Sequence, residues 1–355
     1  MKDEILYRVG SFEVEEFTDI CYLLTKIPYL KGIVRKFNWT IKINKIAKKG
    51  YTCLYLPFSW SGNSGKVKIR KVITIHDLRP MKEATRAFTG SMLFKFLNLK
   101  KIYLAVCRKF YTDHVKNAND IIAISNYVKS DIVHEWSCHN KIHTIYNSIS
   151  KSKLIPKEIG KLKSVNYILY VNTLSPYKNI LTLVRAFKKL KQLQQFNNII
   201  LVIVGKATTY WEKNVLPEIA ESKLANEIVR FEYVSDSELI WLYKNANIFI
   251  TASIHEGFGY TPIEAALYCC PVISTRCESL PDVTANKVSY YDPPTSEEEL
   301  YKVMTRILNT PKNKAELNDI SLYFQERYSI ITHKNRILNL LKNNNNEDII
   351  YSSKL

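Results

Sequence analysis

The sequence predicts an α/β protein of two domains, each built from parallel βαβ crossovers, and three observations carry that reading. First, β-rich apolar runs recur at 71–77, 120–125, 142–146, 167–171, 199–204 and 248–252, with stretches of helical period between them. That alternation is the pattern of a parallel sheet covered by helices. Second, Asn247 to Asp282 holds a complete strand–turn–helix–strand unit: Ile248–Ala252, the turn Glu256-Gly257-Phe258-Gly259, a helical pattern from Pro262 to about Cys270, and Val272–Thr275. Third, residues 149–165 (ISKSKLIPKEIGKLKSV) are polar and lysine-rich and contain Pro156 and Gly160, the composition of a linker. A chain of 355 residues is long enough to bury two cores.

Composition narrows the function classes. Hydrophobic content of 46% fits a globular protein. No apolar run reaches the roughly 20 residues needed to span a bilayer. The start, MKDEILYRVGSFEVEE, carries acidic residues where a signal peptide would have its apolar segment, so a cytoplasmic location is expected. Seven scattered cysteines with no C-x-x-C pair point to reduced thiols. His134, Cys138, His139 and His143 form one local cluster, read as a helix end turning into a strand in preference to a metal site. The net charge of +18 suits nucleic acid, anionic lipid or a phosphorylated substrate. No RNA-binding aromatic signature, helix-turn-helix cue or zinc-finger spacing is present, so no nucleic-acid partner is expected.

In chain order, Glu4–Val9 reads as a first strand, Gly10-Ser11 as a turn and Val14–Leu24 as a helix. Residues 31–49 interleave basic and apolar side chains, which fits either a solvated element with its apolar side in the core or a membrane-facing basic surface. Leu54–Phe58 is a strand and 59–65 a loop. Lys71–Asp77 is a buried strand that ends on His76-Asp77, the strand end where open α/β sheets place ligands. Residues 91–111 have helical period, with Phe94, Phe96, Leu97 and Tyr103 beside Lys95, Lys100, Lys101, Arg108 and Lys109. That is more apolar surface than one core-facing stripe needs. A strand at 120–125, a helix at 127–137 and a strand at 142–146 close this half. Beyond the linker come a strand at 167–171, a helix at 180–193, a strand at 199–204 ending on Gly205, and a strand at 229–234. A Glu-rich helix start follows at 297–299, then a helix near 327–342 and a polar tail.

The central unit also carries the chemistry. Two glycines let backbone N–H groups approach a ligand, and the helix that follows favours an anion at its N-terminus. Thr261-Pro262-Ile263-Glu264 fits a capping box, which would make Glu264 a helix-start residue. The whole run, Glu256-Gly257-Phe258-Gly259-Tyr260-Thr261-Pro262-Ile263-Glu264 with Pro271-Val272-Ile273 beyond, resembles the E-x(7)-E signature of retaining GT-B glycosyltransferases, most closely family 4. It departs from the usual E-G-F-G-L-P-x-L-E-A-x-A-x-G-x-P-V-I at Tyr260 and Thr261 and, by this reading, at Cys270 in place of glycine. Ser175-Pro176-Tyr177-Lys178-Asn179 is similar to the family's G-x-x-x-P-R-K-N, with Tyr177 for the arginine and Asn172 for the glycine.

The resemblance implies a GT-B fold, α/β with two Rossmann-like domains and a cleft between them. It divides the chain into an acceptor-side domain 1–150, a linker 151–165, a nucleotide-sugar domain 166–325, a helix 326–342 returning to the first domain, and a tail 343–355. It implies that Glu256 contacts the donor sugar, that Gly257, Phe258, Gly259, Tyr260 and Thr261 hold sugar and diphosphate through their amides, and that Glu264 binds the ribose. The capping and ribose roles of Glu264 are compatible. Lys178 takes the diphosphate, His76 lies in the sugar pocket, and Gly205 lies near the nucleotide. No cofactor and no metal are expected, since no D-x-D motif occurs. The expected partners are a nucleotide-sugar donor, a glycan or lipid-linked glycan acceptor, and an anionic membrane surface met by the basic N-terminal half at the inner face of the cytoplasmic membrane. A catalytically degenerate relative that binds a nucleotide-sugar or a partner is the alternative, and a same-fold sugar-nucleotide epimerase ranks below it.

Overall fold

The computed structural model describes residues 53–57, 68–79, 99–222, 224–311 and 313–342. These divide into two compact units. The first takes in the described residues up to Ile124, then Val128–Ile145 and the residues from Asn335; the second takes in Ser125–Tyr127 and Tyr146–Lys334.

The first unit holds β1 (Cys53–Leu56), β2 (Arg70–Ile75), α1 (Leu99–Asn117), β3 (Asp120–Ala123), most of α2 (Asn126–Trp136) and β4 (Ile142–Thr144). Its strands pair in the order β1-β2-β3-β4, all parallel. Val72, Ile73 and Ile75 of β2 and Ile121, Ile122 and Ala123 of β3 are buried, as strands covered on both faces require.

The second unit alternates strand and helix: β5 (Asn166–Val171), α3 (Ile180–Leu190), β6 (Ile199–Val204), α4 (Leu216–Glu221), β7 (Ile228–Phe231), α5 (Asp236–Asn245), β8 (Ile248–Thr251), α6 (Tyr260–Leu267), β9 (Val272–Thr275), α7 (Leu280–Val283), β10 (Ser289–Tyr291), α8 (Glu297–Asn309) and α9 (Lys314–Arg327). The six strands are parallel in the order β10-β9-β8-β5-β6-β7, so the direction of winding reverses between β5 and β8. Such a reversal leaves a crevice at the carboxyl ends of the two strands. α3 buries Ile180, Leu183, Val184, Phe187 and Leu190 against the sheet, a stripe at helical spacing. α5 starts on a capping box, with Ser235 and Glu238 each bonded to the other's backbone N–H. Ser296 and Asn313 cap α8 and α9 through their side chains.

The last helix, α10 (Ile330–Lys342), packs Ile337, Leu340 and Leu341 on Val72, Ile122 and Ile145 of the first unit. Arg70 fixes it there. Its Nη1 donates to the carbonyls of Leu340 (2.8 Å) and Leu341 (3.2 Å), while Nε and Nη2 donate to Asp120 Oδ2 at 3.0 and 2.6 Å. His143 Nε2 meets Asp120 Oδ1 at 2.9 Å, so this histidine of the local cluster is taken up by a hydrogen bond to a carboxylate. Burial opposes the charge on Asp120, but the hydrogen bonds from His143 and Arg70 outweigh it and hold the carboxyl below its ordinary value.

Several expectations shift. α6 begins at Tyr260, two residues before Pro262, and the strand read over 229–234 is Ile228–Phe231. α9 was not anticipated, because its inward positions include Ser321 beside Phe324 and its apolar stripe is thin. The helix read over 91–111 is described from Leu99 and runs to Asn117. Phe94, Lys95, Phe96 and Leu97 lie outside the described residues, as do the elements at 4–24, Gly10, the basic run 31–49, the loop 59–65 and the tail from 343. No helix among the described residues is long and apolar enough to cross a membrane.

Asp120 ties two elements together, so Asp120→Ala leaves Arg70 without its carboxylate and loosens α10. Stability should fall by about 1–3 kcal/mol in urea titration at pH 7. Because the folded-state pKa is lowered, the contribution is present above the unfolded value and is lost as pH falls through the folded one. The gap between wild type and variant should therefore close only in acid. A gap that is the same at pH 7 and at pH 2 contradicts the ion-pair account.

Candidate functional site

The loops leaving β5 and β8 flank the reversal of the second sheet and are stitched together by a hydrogen bond from Ile254 N to Tyr177 O (2.8 Å). The β5 loop ends in the tight turn Pro176–Lys178, followed by Asn179 in the left-handed region (φ 55). Asn179 holds that shape by donating from Nδ2 to Pro294 O (2.8 Å) and accepting at Oδ1 from Thr182 (2.8 Å). The turn buries Lys178, which is only 7% exposed, so its ammonium needs a partner. It finds one across the crevice: Nζ donates to Glu256 Oε1 at 2.5 Å, and Ser253 Oγ donates to the same oxygen at 2.9 Å. The ring of Tyr177 lies 5.1 Å from the ammonium, a cation–π contact where the family has arginine.

The Glu256–Tyr260 turn is fixed from below. Glu256 N donates to Glu278 Oε2 (2.7 Å), and Ser279 Oγ donates to Glu256 O (2.6 Å). Ser125 Oγ donates to Gly257 O (3.0 Å), and the buried Phe258 ring meets Tyr328 edge-on at 5.6 Å. Gly259 has φ 89, and a Cβ there would stand 2.5 Å from Leu280 Cδ2, so only glycine fits. Among the described residues none accepts from the backbone N–H of Gly257, Phe258 or Gly259. These donors and the start of α6 are available to an anion beside Lys178.

The capping-box reading of Glu264 is corrected. Gly259, not Thr261, is the N-cap of α6, and no side chain caps it. Glu264 instead accepts from Tyr243 OH on α5 at 3.1 Å. Burial pushes its carboxyl up, the Tyr243 bond pulls it back, and Asp236 pushes it up again. The glycine of the family pattern is also misplaced by the reading at Cys270. Counting back from Pro271 puts it at Cys269, which takes the left-handed conformation (φ 61) that glycine would adopt after a helix, whereas Cys270 is buried. Gly205 ends β6, where a Cβ would lie 2.1 Å from Asn172 O, so the strand exits pack backbone to backbone. Tyr260 is 43% exposed at the helix start, with its hydroxyl pKa raised by burial. Thr261 sits in the first turn of α6.

The second unit thus brings together Lys178, Glu256, the 257–261 turn and, one helical turn on, Glu264. His76 belongs to the first unit, at the carboxyl end of β2, where its Nε2 is 2.9 Å from Pro57 O. Sequence reasoning missed Ser253, Glu278 and Ser279. The last two follow the exit of β9, the strand next to β8, and that placement was the available signal.

Two family models match the chain: Glycosyltransferase Family 4 over residues 3–153 and Glycosyl transferases group 1 over residues 151–321. The chain belongs to the family 4 glycosyltransferases of the GT-B fold. Among curated relatives of this family 4 chain is the O-antigen chain mannosyltransferase RfbU of Salmonella typhimurium, 30% identical over 224 residues, covering 63% of this chain and 57% of that one. The O-antigen chain mannosyltransferase B of Escherichia coli is 27% identical over 191 residues, covering 51% and 49%. The family 4 chain therefore spans about half the length of these relatives. Solved structures share its fold: a glycosyltransferase of Rickettsia africae (TM-score 0.65, 22% identity, covering 93% of this chain and 84% of that one) and Anabaena Alr3699/HepE in complex with UDP (0.64, 17%, 85% and 81%).

Glu264 generates a prediction for this family 4 chain. A folded-state pKa raised above the unfolded one gives stability that is present at low pH and lost as pH rises through the folded value. Glu264→Gln, which can still accept from Tyr243, should therefore melt above wild type at pH 8, with the difference vanishing near pH 4. A variant that melts below wild type at pH 8 contradicts this. Gly205→Ala should cost about 1–3 kcal/mol or more, read as a lowered urea midpoint, because a backbone carbonyl has no rotamer with which to move aside.

Proposed function

We propose that the protein is a retaining glycosyltransferase that moves a hexose, of the mannose type, from a nucleotide-sugar to a glycan or lipid-linked glycan in cell-surface polysaccharide synthesis. The observation that carries the reading is the Lys178–Glu256 pair set beside unengaged backbone donors at the reversal of a parallel sheet. The names of the relatives support the substrate class: two are O-antigen chain mannosyltransferases, and a structural neighbour was solved with UDP-glucose.

Cleaving a sugar–diphosphate bond leaves negative charge on the departing phosphate and positive character on the sugar. Lys178, the amides of Gly257, Phe258 and Gly259, and the N-terminus of α6 would meet the first. Glu256, its carboxylate fixed by Lys178 and Ser253, would face the second. Glu264 would bind the ribose through its carboxylate, partly shielded from water. With a lysine and a helix terminus available for the diphosphate, and no D-x-D motif in the sequence, we propose that the reaction needs no metal. The basic N-terminal sequence would attach the enzyme peripherally to anionic lipid at the inner face of the cytoplasmic membrane.

Tyr177 in place of arginine motivates the second reading, a relative that binds a nucleotide-sugar without turning it over. One assay separates the two: incubation with GDP-, UDP-, dTDP- and ADP-sugars, followed by measurement of nucleotide release. Transfer predicts release from one donor class, with Lys178→Ala and Glu256→Ala each lowering turnover about 10²–10⁴-fold while the fold is retained. Binding without release from any donor supports the second reading. Turnover abolished by chelator and restored by magnesium or manganese contradicts the metal-free proposal.

A further inference from the structure

Glu278 holds the site from outside it. The residue follows β9 in the left-handed region (φ 47), an uncommon conformation for a side chain with a Cβ. Its carboxylate is 17% exposed and accepts three hydrogen bonds. Oε2 takes Glu256 N at 2.7 Å, and Oε1 takes His255 Nδ1 at 2.9 Å and Tyr127 OH at 3.1 Å. The next residue, Ser279, donates from Oγ to Glu256 O at 2.6 Å. Residues 278 and 279 therefore grip both polar groups of the Glu256 backbone. What remains is the Glu256 side chain, and that is fixed by Lys178 and Ser253.

The arrangement has an electrostatic cost. A second carboxylate placed against the backbone of Glu256 raises the negative potential beside the Glu256 carboxylate. A neutral acceptor would avoid that penalty. A carboxylate has the capacity for several donors at once, which one amide oxygen lacks. Three donors converge here, from Tyr127, His255 and Glu256, and only an acceptor with two oxygens takes them all.

We propose that Glu278 is a positioning residue for Glu256, acting through the backbone of residues 255–257 and not by touching substrate. This rests on the glycosyltransferase reading above. Releasing the Glu256 N–H lets the turn shift, and a displacement of about 1 Å at a reacting centre costs on the order of 10²-fold in rate. Glu278→Gln keeps the shape. Its amide oxygen can accept from Glu256 N, and its NH₂ can donate to His255 Nδ1 once that ring carries its proton on Nε2.

The test compares wild type, Glu278→Ala and Glu278→Gln in two measurements: kcat and KM for nucleotide release from the accepted nucleotide-sugar, and hydrogen–deuterium exchange of peptides across the second unit. Glu278→Ala should lower kcat about 10²-fold with donor KM changed less than about threefold, and should raise exchange only around residues 253–259. Glu278→Gln should return kcat to within about fivefold of wild type. Wild-type kcat and exchange in Glu278→Ala overturn the proposal, as does exchange raised evenly throughout the unit, the sign of a purely structural role. Should wild type release nucleotide from no donor, the glycosyltransferase reading fails, while the exchange pattern still decides whether Glu278 fixes the turn.

Discussion

The ion pair between Lys178 and Glu256 is the constraint on which the second unit's crevice depends. A buried ammonium without a carboxylate is costly, and so is a carboxylate without its donors. The pair can form only if the loops after β5 and β8 meet, which requires those strands to be neighbours although an α-β-α-β-α stretch of chain separates them. The strand order supplies that neighbourhood. The Ile254–Tyr177 backbone bond, the left-handed Asn179 and the close approach of Gly205 to Asn172 then bring the loops to the required distance. Each feature has a local cost in conformation or packing, and each is offset by contacts that converge on one crevice.

Parallel strands and the central turn were legible in the sequence because both are local signals. β5, β6, β8 and β9 fall within a residue or so of the apolar runs that predict them, and Glu256, Gly257, Gly259 and Lys178 sit in short patterns with fixed spacing. Glu264 shows where local reasoning fails. Thr261-Pro262-Ile263-Glu264 satisfies a capping box on paper, but Gly259 takes the positive φ that ends the turn, starts the helix earlier and turns Glu264 toward Tyr243. Glu278 is invisible for another reason: its partners come from residues 127, 255 and 256, so only tertiary structure brings them together. α9 escaped because a thin apolar stripe suffices where a serine bonds the preceding layer, as Ser321 does with Leu267 O.

The two units differ in how their edges are secured. In the first, one guanidinium gathers the start of β2, the start of β3 and the end of α10. In the second, aromatic packing does similar work: Tyr328 stacks on Phe324 and meets Phe258 edge-on under the Glu256–Tyr260 turn, and Arg327 lies over the rings of Tyr146 and Tyr328. The turn that carries Glu256 therefore rests on a rigid floor, while its upper surface offers hydrogen-bond donors. A site for a flexible, multiply charged ligand would benefit from that division, since the fixed part needs no reorganisation on binding.

The most direct test is a crystal structure of the protein with the nucleoside diphosphate that it binds. The account predicts the β-phosphate within hydrogen-bond distance of Lys178 Nζ and of at least one N–H from Gly257, Phe258 or Gly259, with the ribose hydroxyls on the Glu264 carboxylate. A diphosphate bound away from Lys178, with the Lys178–Glu256 pair undisturbed and the turn empty, would contradict it.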